Sequence, residues 1–293
     1  MRRLRPTIVI WLALAPALAV VGLLTLASLA YGVAQSAGAL EVNGVSRFDA
    51  SAYVDLLAGT SPGAREFWPS LVFSLWVSAA ATLVSSIAAL LLAVALGGPL
   101  ARGGSLLALN ANLAFPHLVW AVALGLLLSQ SGLLSRIAAA LGLIAQPSAF
   151  PVLIRDTYGL GIVLHYVTKE TPFLTLIVLA LLRTQGGAYT LVAENLGATP
   201  WQRLRHLTLP LVLPGLAGGA AVVFAFSFGA YEVPALLGVR YPRALPVLAL
   251  EFFTNPDLNR RAEGMAISLL MSLVVLAVVV PLHMLREREN AAR

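Results

Sequence analysis

The chain is 293 residues long, 59% hydrophobic and 11% charged, with a net charge of +6 at neutral pH. Soluble domains carry about 25% charged residues, so this composition excludes an ordinary water-soluble globule and describes an all-α integral membrane protein. The positive balance comes from scattered arginines with Lys169 as the one lysine, which fits membrane topology better than a nucleic-acid face, and the absence of cysteine excludes disulfides and thiolate metal sites.

Arg2, Arg3 and Arg5 precede an apolar run over 7–31. Roughly 24 residues at about 1.5 Å each cover ~36 Å, enough to cross a bilayer with some tilt. A cleaved signal peptide with Ser28-Leu29-Ala30 as its small-residue site is the rival reading. The apolar core exceeds the usual ~7–15 residues, which favours an uncleaved first span. Residues 32–66 are polar and mixed, predicting an external loop with a short helix near 52–57. Span two covers 67–96 and ends at Gly97-Gly98-Pro99, with Arg102 in a short loop. Span three, 105–128, is the most polar, with Asn110, Asn112, Pro116, His117 and Trp120. An external segment over 129–157 follows, amphipathic around 133–143. Span four covers 158–182, and a polar loop over 183–212 leads to span five at 213–237. A third external loop at 238–261 precedes span six at 262–285 and a tail with Arg286, Arg288 and Arg293.

Six transmembrane helices put both termini on one side. Ten basic residues lie in the termini and the 97–104 and 183–212 loops, against eight in the opposite, longer loops. That density favours cytoplasmic termini. The expected organisation is a first span and loop at 1–66, a core at 67–285 and a cytoplasmic tail at 286–293, all within one membrane domain.

The 183–212 loop is a basic island between apolar runs. Gly197 fits the position just beyond a helix end, where glycine takes positive φ without steric cost. The next helix has three agreeing start signals: Thr199 as cap, Pro200 first and Gln202 third, a capping-box pattern. Pro210 is expected to end it. Two short helices hinged at Gly197 make a compact, arginine-bearing knob suited to docking a partner.

These residues resemble the glutamate-alanine-alanine loop of inner-membrane permease subunits in binding-protein-dependent ATP-binding-cassette (ABC) importers. The family pattern runs Glu-Ala-Ala, three residues, Gly, nine residues, an aliphatic, one residue, Leu-Pro. Ala193 matches the second alanine, Gly197 the glycine, Leu207 the aliphatic and Leu209-Pro210 the ending. Leu196, Ala198, Trp201 and Pro214 fit common usage. Leu191 stands where the glutamate is expected and Val192 where the first alanine is, while Glu194 is three positions too late to substitute. The resemblance covers roughly 67–285 and implies a type I importer-like transmembrane domain in a bacterial cytoplasmic (inner) membrane. It implies that Ala193, Glu194, Gly197, Ala198, Pro200, Trp201, Arg203, Leu207, Leu209 and Pro210 couple the spans to an ABC ATPase subunit. It further implies a second permease subunit, making a homo- or heterodimer, and a periplasmic or lipid-anchored solute-binding protein facing 32–66, 129–157 and 238–261.

A phosphate-binding loop ends in Gly-Lys-Ser/Thr, and Lys169 lies inside a span, so ATP is expected in the partner subunit and no cofactor in this chain. No catalytic residues are expected. No histidines pair with a carboxylate at metal-ligand spacing, so no metal site is expected either. Ionisable groups inside spans are functional candidates by default. Lys169 and Glu170 fall mid-span just before Pro172, which cannot donate to the carbonyl of Thr168 and is expected to loosen the backbone there. His165 and Tyr166 lie one turn earlier. Either this stripe lines a solute path or Lys169 and Glu170 form a pair that neutralises itself or partners another span; both stay open. His117 is expected to be a buried hydrogen-bonding residue. The 226–234 stretch places Tyr231 and Glu232 toward the external third of span five, ahead of Pro234 and Leu236-Leu237-Gly238. It resembles the polyamine-type (spermidine/putrescine-like) branch, which implies a cationic amine held by Tyr166, Glu170, Tyr231 and Glu232 through charge and cation–π contact. Gly215, Gly218 and Gly219 give span five a face for close packing, within the subunit or across a dimer.

Two other classes remain. An ion-coupled secondary transporter needs midplane charges, which Lys169 and Glu170 could supply, and inverted repeats, which are not detected. An intramembrane enzyme needs a nucleophile with its base, and no Gly-x-Ser-x-Gly elbow or histidine-carboxylate cluster stands in the sequence.

Overall fold

The computed structural model describes residues 6–39, 48, 50–60, 64–95, 103–258 and 260–291. The N-terminal arginine cluster, the Gly97-Gly98-Pro99 break with Arg102, and Arg293 lie outside these residues. Every regular element described is helical, as expected for a chain that must satisfy its backbone groups internally in lipid. In order these are α1 (Pro6–Ser36), α2 (Ser51–Ala58), α3 (Ala64–Ala95), α4 (Gly103–Ala114), α5 (His117–Leu128), α6 (Leu133–Ala140), α7 (Leu160–Leu181), α8 (Gly187–Asn195), α9 (Pro200–Arg203), α10 (Leu209–Gly229), α11 (Glu232–Leu237), α12 (Leu245–Phe253) and α13 (Arg260–Ala291). Among the described residues, six helical stretches are long and apolar enough to cross a membrane: Ile10–Ser36, Ala64–Val94, His117–Ala140, Leu160–Thr184, Pro200–Gly229 and Arg260–Leu282.

Two expectations are corrected. Span three is not continuous over 105–128. It divides into α4 and α5 at Phe115–Pro116, because Pro116 sits in an extended conformation (ψ 142°) and has no N–H to return to the carbonyl of Asn112. Pro172, by contrast, lies inside an unbroken α7. Span five ends as a helix at Gly229, where Ala230 turns extended (ψ 133°) and α11 begins.

The chain forms two compact units. The first comprises Met1–Ala64 and Ala249–Leu270. In it the Ser36 and Tyr53 hydroxyls share a 2.7 Å hydrogen bond. Arg260 and Arg261 lie over the rings of Phe252 and Phe253, each 5.8 Å from the centroid.

The second unit comprises Arg65–Leu248 and Met271–Arg293. Two apolar cores are strung along α7. One gathers Phe73, Val77 and Ala81 of α3, Ala121 of α5, Ile162 and Tyr166 of α7, and Val233 and Leu237 of α11. The other joins Ala89 and Ala93 of α3 to Leu174 and Val178 of α7 and Val212, Leu216 and Val223 of α10. Between them α7 buries His165, Lys169, Glu170 and Thr171. The α7 N-terminus is fixed by Asp156, whose carboxylate accepts from the N–H groups of Tyr158 and Leu160 at 3.0 Å and of Gly161 at 3.3 Å. Gly159 precedes α7 at φ 71°, and a side chain there would come within 2.7 Å of Val77 Cγ2, so α3 and α7 approach where only glycine fits. The small-residue face of span five packs within the subunit: a Cβ at Gly219 would lie 2.7 Å from Ile177, and one at Gly215 would collide with Leu181.

Candidate functional site

The knob between spans four and five is built from local rules. α8 ends in a Schellman arrangement: Gly197 N–H donates to the Glu194 carbonyl and Ala198 N–H to the Ala193 carbonyl, each at 2.9 Å, with Gly197 at φ 76°. α9 opens with a complete capping box. Thr199 Oγ1 accepts from Gln202 N–H at 3.3 Å and Gln202 Oε1 accepts from Thr199 N–H at 2.8 Å, with Pro200 at the first helical position. Arg203 then reaches back across the turn to donate to the Glu194 carboxylate. Glycine turn, capping box and ion pair together fix the angle between two short helices.

The knob exposes several large apolar side chains among its polar ones. Leu191, Leu196 and Trp201 are 63%, 82% and 66% exposed, and Val192 is exposed beside them. Large apolar groups exposed together on one turn are what an interaction surface offers. Leu191, at the position where the loop pattern has glutamate, belongs to this patch. The Glu194 carboxylate, three positions on, is engaged by Arg203.

Both ends of the knob run into spans through π turns, Leu182–Gly186 after α7 and Leu204–Thr208 before α10, and these two turns pack together. In the second turn Leu209 N–H donates to the Leu204 carbonyl, five residues back. The wider turn carries the helix past Pro210, whose ring and missing N–H disrupt a regular helix. The expected stop at Pro210 is therefore a continuation. Leu207 lies half-buried in the π turn and Leu209-Pro210 open α10.

The second cluster sits where α7 faces the break in span three. Lys169, 2% exposed, donates from Nζ to the carbonyl of Asn112 at 2.6 Å and of Phe115 at 2.8 Å. These carbonyls lie at the end of α4, and a cation suits a helix C-terminus. Glu170 faces His117, with Oε1 3.7 Å from Nε2, and the other His117 nitrogen is 3.3 Å from His165 Nε2. Trp120 Nε1 donates to Thr168 Oγ1 at 2.9 Å. Phe226 of α10 packs 4.8 Å from the His117 ring centroid. Of the two pairings expected for Lys169 and Glu170, the structure shows the one with another span: the hydrogen bonds of Lys169 go to carbonyls of span three and Glu170 turns to the His117 imidazole. Among the described residues, Asn112 Oδ1, His165 Nδ1, the Tyr166 hydroxyl and Thr171 Oγ1 are buried without a hydrogen-bond partner.

Tyr231 and Glu232 lie apart from the α7 stripe in burial, both exposed at the turn where α10 gives way to α11. His117 is half-buried rather than fully enclosed. Sequence reading missed the His117–His165 contact and the partners of Lys169, since those pairs are 48 to 57 positions apart and no spacing rule joins them.

Comparisons place this architecture among transport proteins. The inner membrane ABC transporter permease protein YnjC of Escherichia coli is 29% identical over 224 residues, covering 74% of this chain and 42% of that protein. The putative 2-aminoethylphosphonate transport system permease protein PhnV of Salmonella typhimurium is 28% identical over 148 residues, covering 50% of this chain and 54% of that one. The chain thus spans about half the length of these curated relatives. The same fold occurs in the crystal structure of a bacterial alginate ABC transporter in complex with an alginate pentasaccharide-bound periplasmic protein, with a TM-score of 0.74 at 17% identity over 95% of this chain and 94% of that one. Residues 56–287 match the family described as binding-protein-dependent transport system inner membrane component, and the chain belongs to that family.

Proposed function

We propose that this chain is the transmembrane subunit of an ATP-driven importer, forming the solute path and passing the motion of a separate ATPase subunit to its spans. The observation that carries this reading is the knob: a two-helix turn with several large apolar side chains exposed, joined without a flexible linker to spans four and five. Family membership supports it. In this account knob and termini are cytoplasmic, ATP is bound and hydrolysed by the partner, and a second permease subunit completes the path. A solute-binding protein docks on the opposite loops.

The solute is read from the chain's own residues. Glu170 and Glu232, with Tyr231 and Phe226, offer carboxylates and aromatic faces, while Lys169 is withdrawn onto backbone carbonyls and Tyr166, expected in this set, is fully buried in the apolar core. A solute carrying an ammonium group suits that set. The relatives lend a polyamine no particular support. One is named for 2-aminoethylphosphonate, which carries an amine of another kind.

Purification from native membranes tests the proposal. An ATP-hydrolysing subunit should accompany the chain, and Leu196→Asp should reduce how much of it is retained. A chain that purifies alone and moves solute in liposomes without ATP would instead be an ion-coupled secondary transporter.

A further inference from the structure

We infer that the break in span three is a hinge and that Lys169 is the positioning residue pinning it to span four, so that a displacement rising along α7 from the knob bends span three at Phe115–Pro116. The source of that displacement rests on the importer reading above; the pin rests on geometry alone. One stretch of α7, residues 165–170, grips both halves of span three separately. Lys169 holds the α4 side through the carbonyls of Asn112 and Phe115. Thr168 and His165 hold the α5 side through Trp120 and His117, and Glu170 faces His117. A slide or rotation of α7 therefore acts on the two halves through different attachments.

Pro116 makes the break permanent. In a continuous helix the Asn112 carbonyl would accept from the residue at 116, and proline has no N–H to give. The Phe115 N–H closes on Asn112 only at 3.3 Å, in a tightened turn. A buried ammonium is an expensive way to satisfy two carbonyls in a membrane, where a hydroxyl or a water serves as well. A lysine differs in its reach: a long chain rooted on one helix can follow the end of another as they shift. Phe115 stands exposed at the break, so the bend is not locked from that side.

The alternative is that Lys169 merely satisfies orphaned carbonyls, and Pro116 separates the two. Pro116→Ala returns the missing N–H to Asn112, so the double variant Lys169→Met/Pro116→Ala no longer needs the ammonium for folding. The chain has no cysteine. Leu107→Cys on α4 and Leu126→Cys on α5, at positions 71% and 69% exposed, can therefore carry a pair of nitroxide labels across the break. The distance is measured by pulsed electron spin resonance in the complex with its ATPase, with ADP and with ATP plus vanadate.

The background carrying only the label pair should change its distance by several ångström between the two nucleotide states. Both Lys169→Met and the double variant should lose that change while the complex still hydrolyses ATP at its basal rate. If Lys169→Met does not fold, the double variant carries the test. A change that persists in Lys169→Met, or returns in the double variant, overturns the pin. An active complex in which the background label pair keeps the same distance in both nucleotide states overturns the hinge as well. Absence of any nucleotide-hydrolysing partner would remove the importer reading itself, and the proposed drive with it, a result visible before any distance is measured.

Discussion

Glu194 and Arg203 close the knob from opposite sides of Gly197, the acid in the last turn of α8 and the guanidinium at the end of α9. Both side chains are partly in solvent, so the pair contributes on the order of 0–1 kcal/mol to stability. Its effect is on angle. Arg203→Glu and Glu194→Arg singly should leave the thermal unfolding midpoint within about 4 °C of wild type while lowering solute-stimulated ATPase activity. The double exchange should restore that activity. A double variant as inactive as the singles would mean the charges are read directly by the docked partner.

Gly197 separates strain from bulk. A Cβ at this position meets no atom within 4 Å, so there is room for a side chain, yet φ is +76°. Left-handed backbone costs about 1–2 kcal/mol for an ordinary residue and more for a β-branched one, whereas asparagine visits it readily. Gly197→Asn should therefore retain transport and Gly197→Val should lose it, with both chains inserted and folded. Uptake measured beside expression level distinguishes the two, and equal uptake would remove the knob's geometry from the coupling path.

The exposed face of the knob makes a separate prediction. Leu196 and Trp201 are mostly exposed, so Leu196→Asp and Trp201→Ala should leave unfolding nearly unchanged. As interface anchors each should weaken ATPase docking by about 2 kcal/mol, near thirtyfold in affinity. Titration of the purified ATPase against the membrane subunit in nanodiscs reads this directly.

What the sequence made legible is what is set locally. The spans follow from apolar length, and the knob from Gly197, Thr199, Pro200 and Gln202, whose rules act within a few residues. Pro116 and Pro172 look alike in the sequence, each in an apolar run beside polar groups, yet one breaks its helix and the other does not. The visible difference is tertiary: Lys169 on α7 caps the end of α4, and a break uncapped in lipid would leave carbonyls unsatisfied. Pro210 misled for a related reason, since the π turn that accommodates it has no composition of its own. Glu170 was placed correctly in a span, but its neighbour His117 comes from another helix.

Glu232 tests the charge of the solute. It is exposed in the first turn of α11, where its carboxylate also suits the helix N-terminus. Glu232→Gln keeps shape and hydrogen bonding while removing the charge. If the solute carries an ammonium group, the concentration for half-maximal uptake should rise about tenfold, the equivalent of ~1.4 kcal/mol. An unchanged value would exclude Glu232 from solute recognition.

Span five is held against span four by the absence of side chains. At Gly219 a Cβ would approach Ile177 Cδ1 to 2.7 Å and Leu174 Cδ2 to 2.9 Å, both far ends of flexible side chains that can yield a little. Gly219→Ala should therefore be nearly neutral, the strain offset by better helix propensity. Gly219→Leu has no such room, and overpacking typically costs about 1–3 kcal/mol. Thermal unfolding in detergent should show the leucine variant several degrees below wild type, with Gly229→Ala, where nothing lies within 4 Å, as the unaffected control. If the leucine variant unfolded with wild type, the close approach of spans four and five would not be a source of stability.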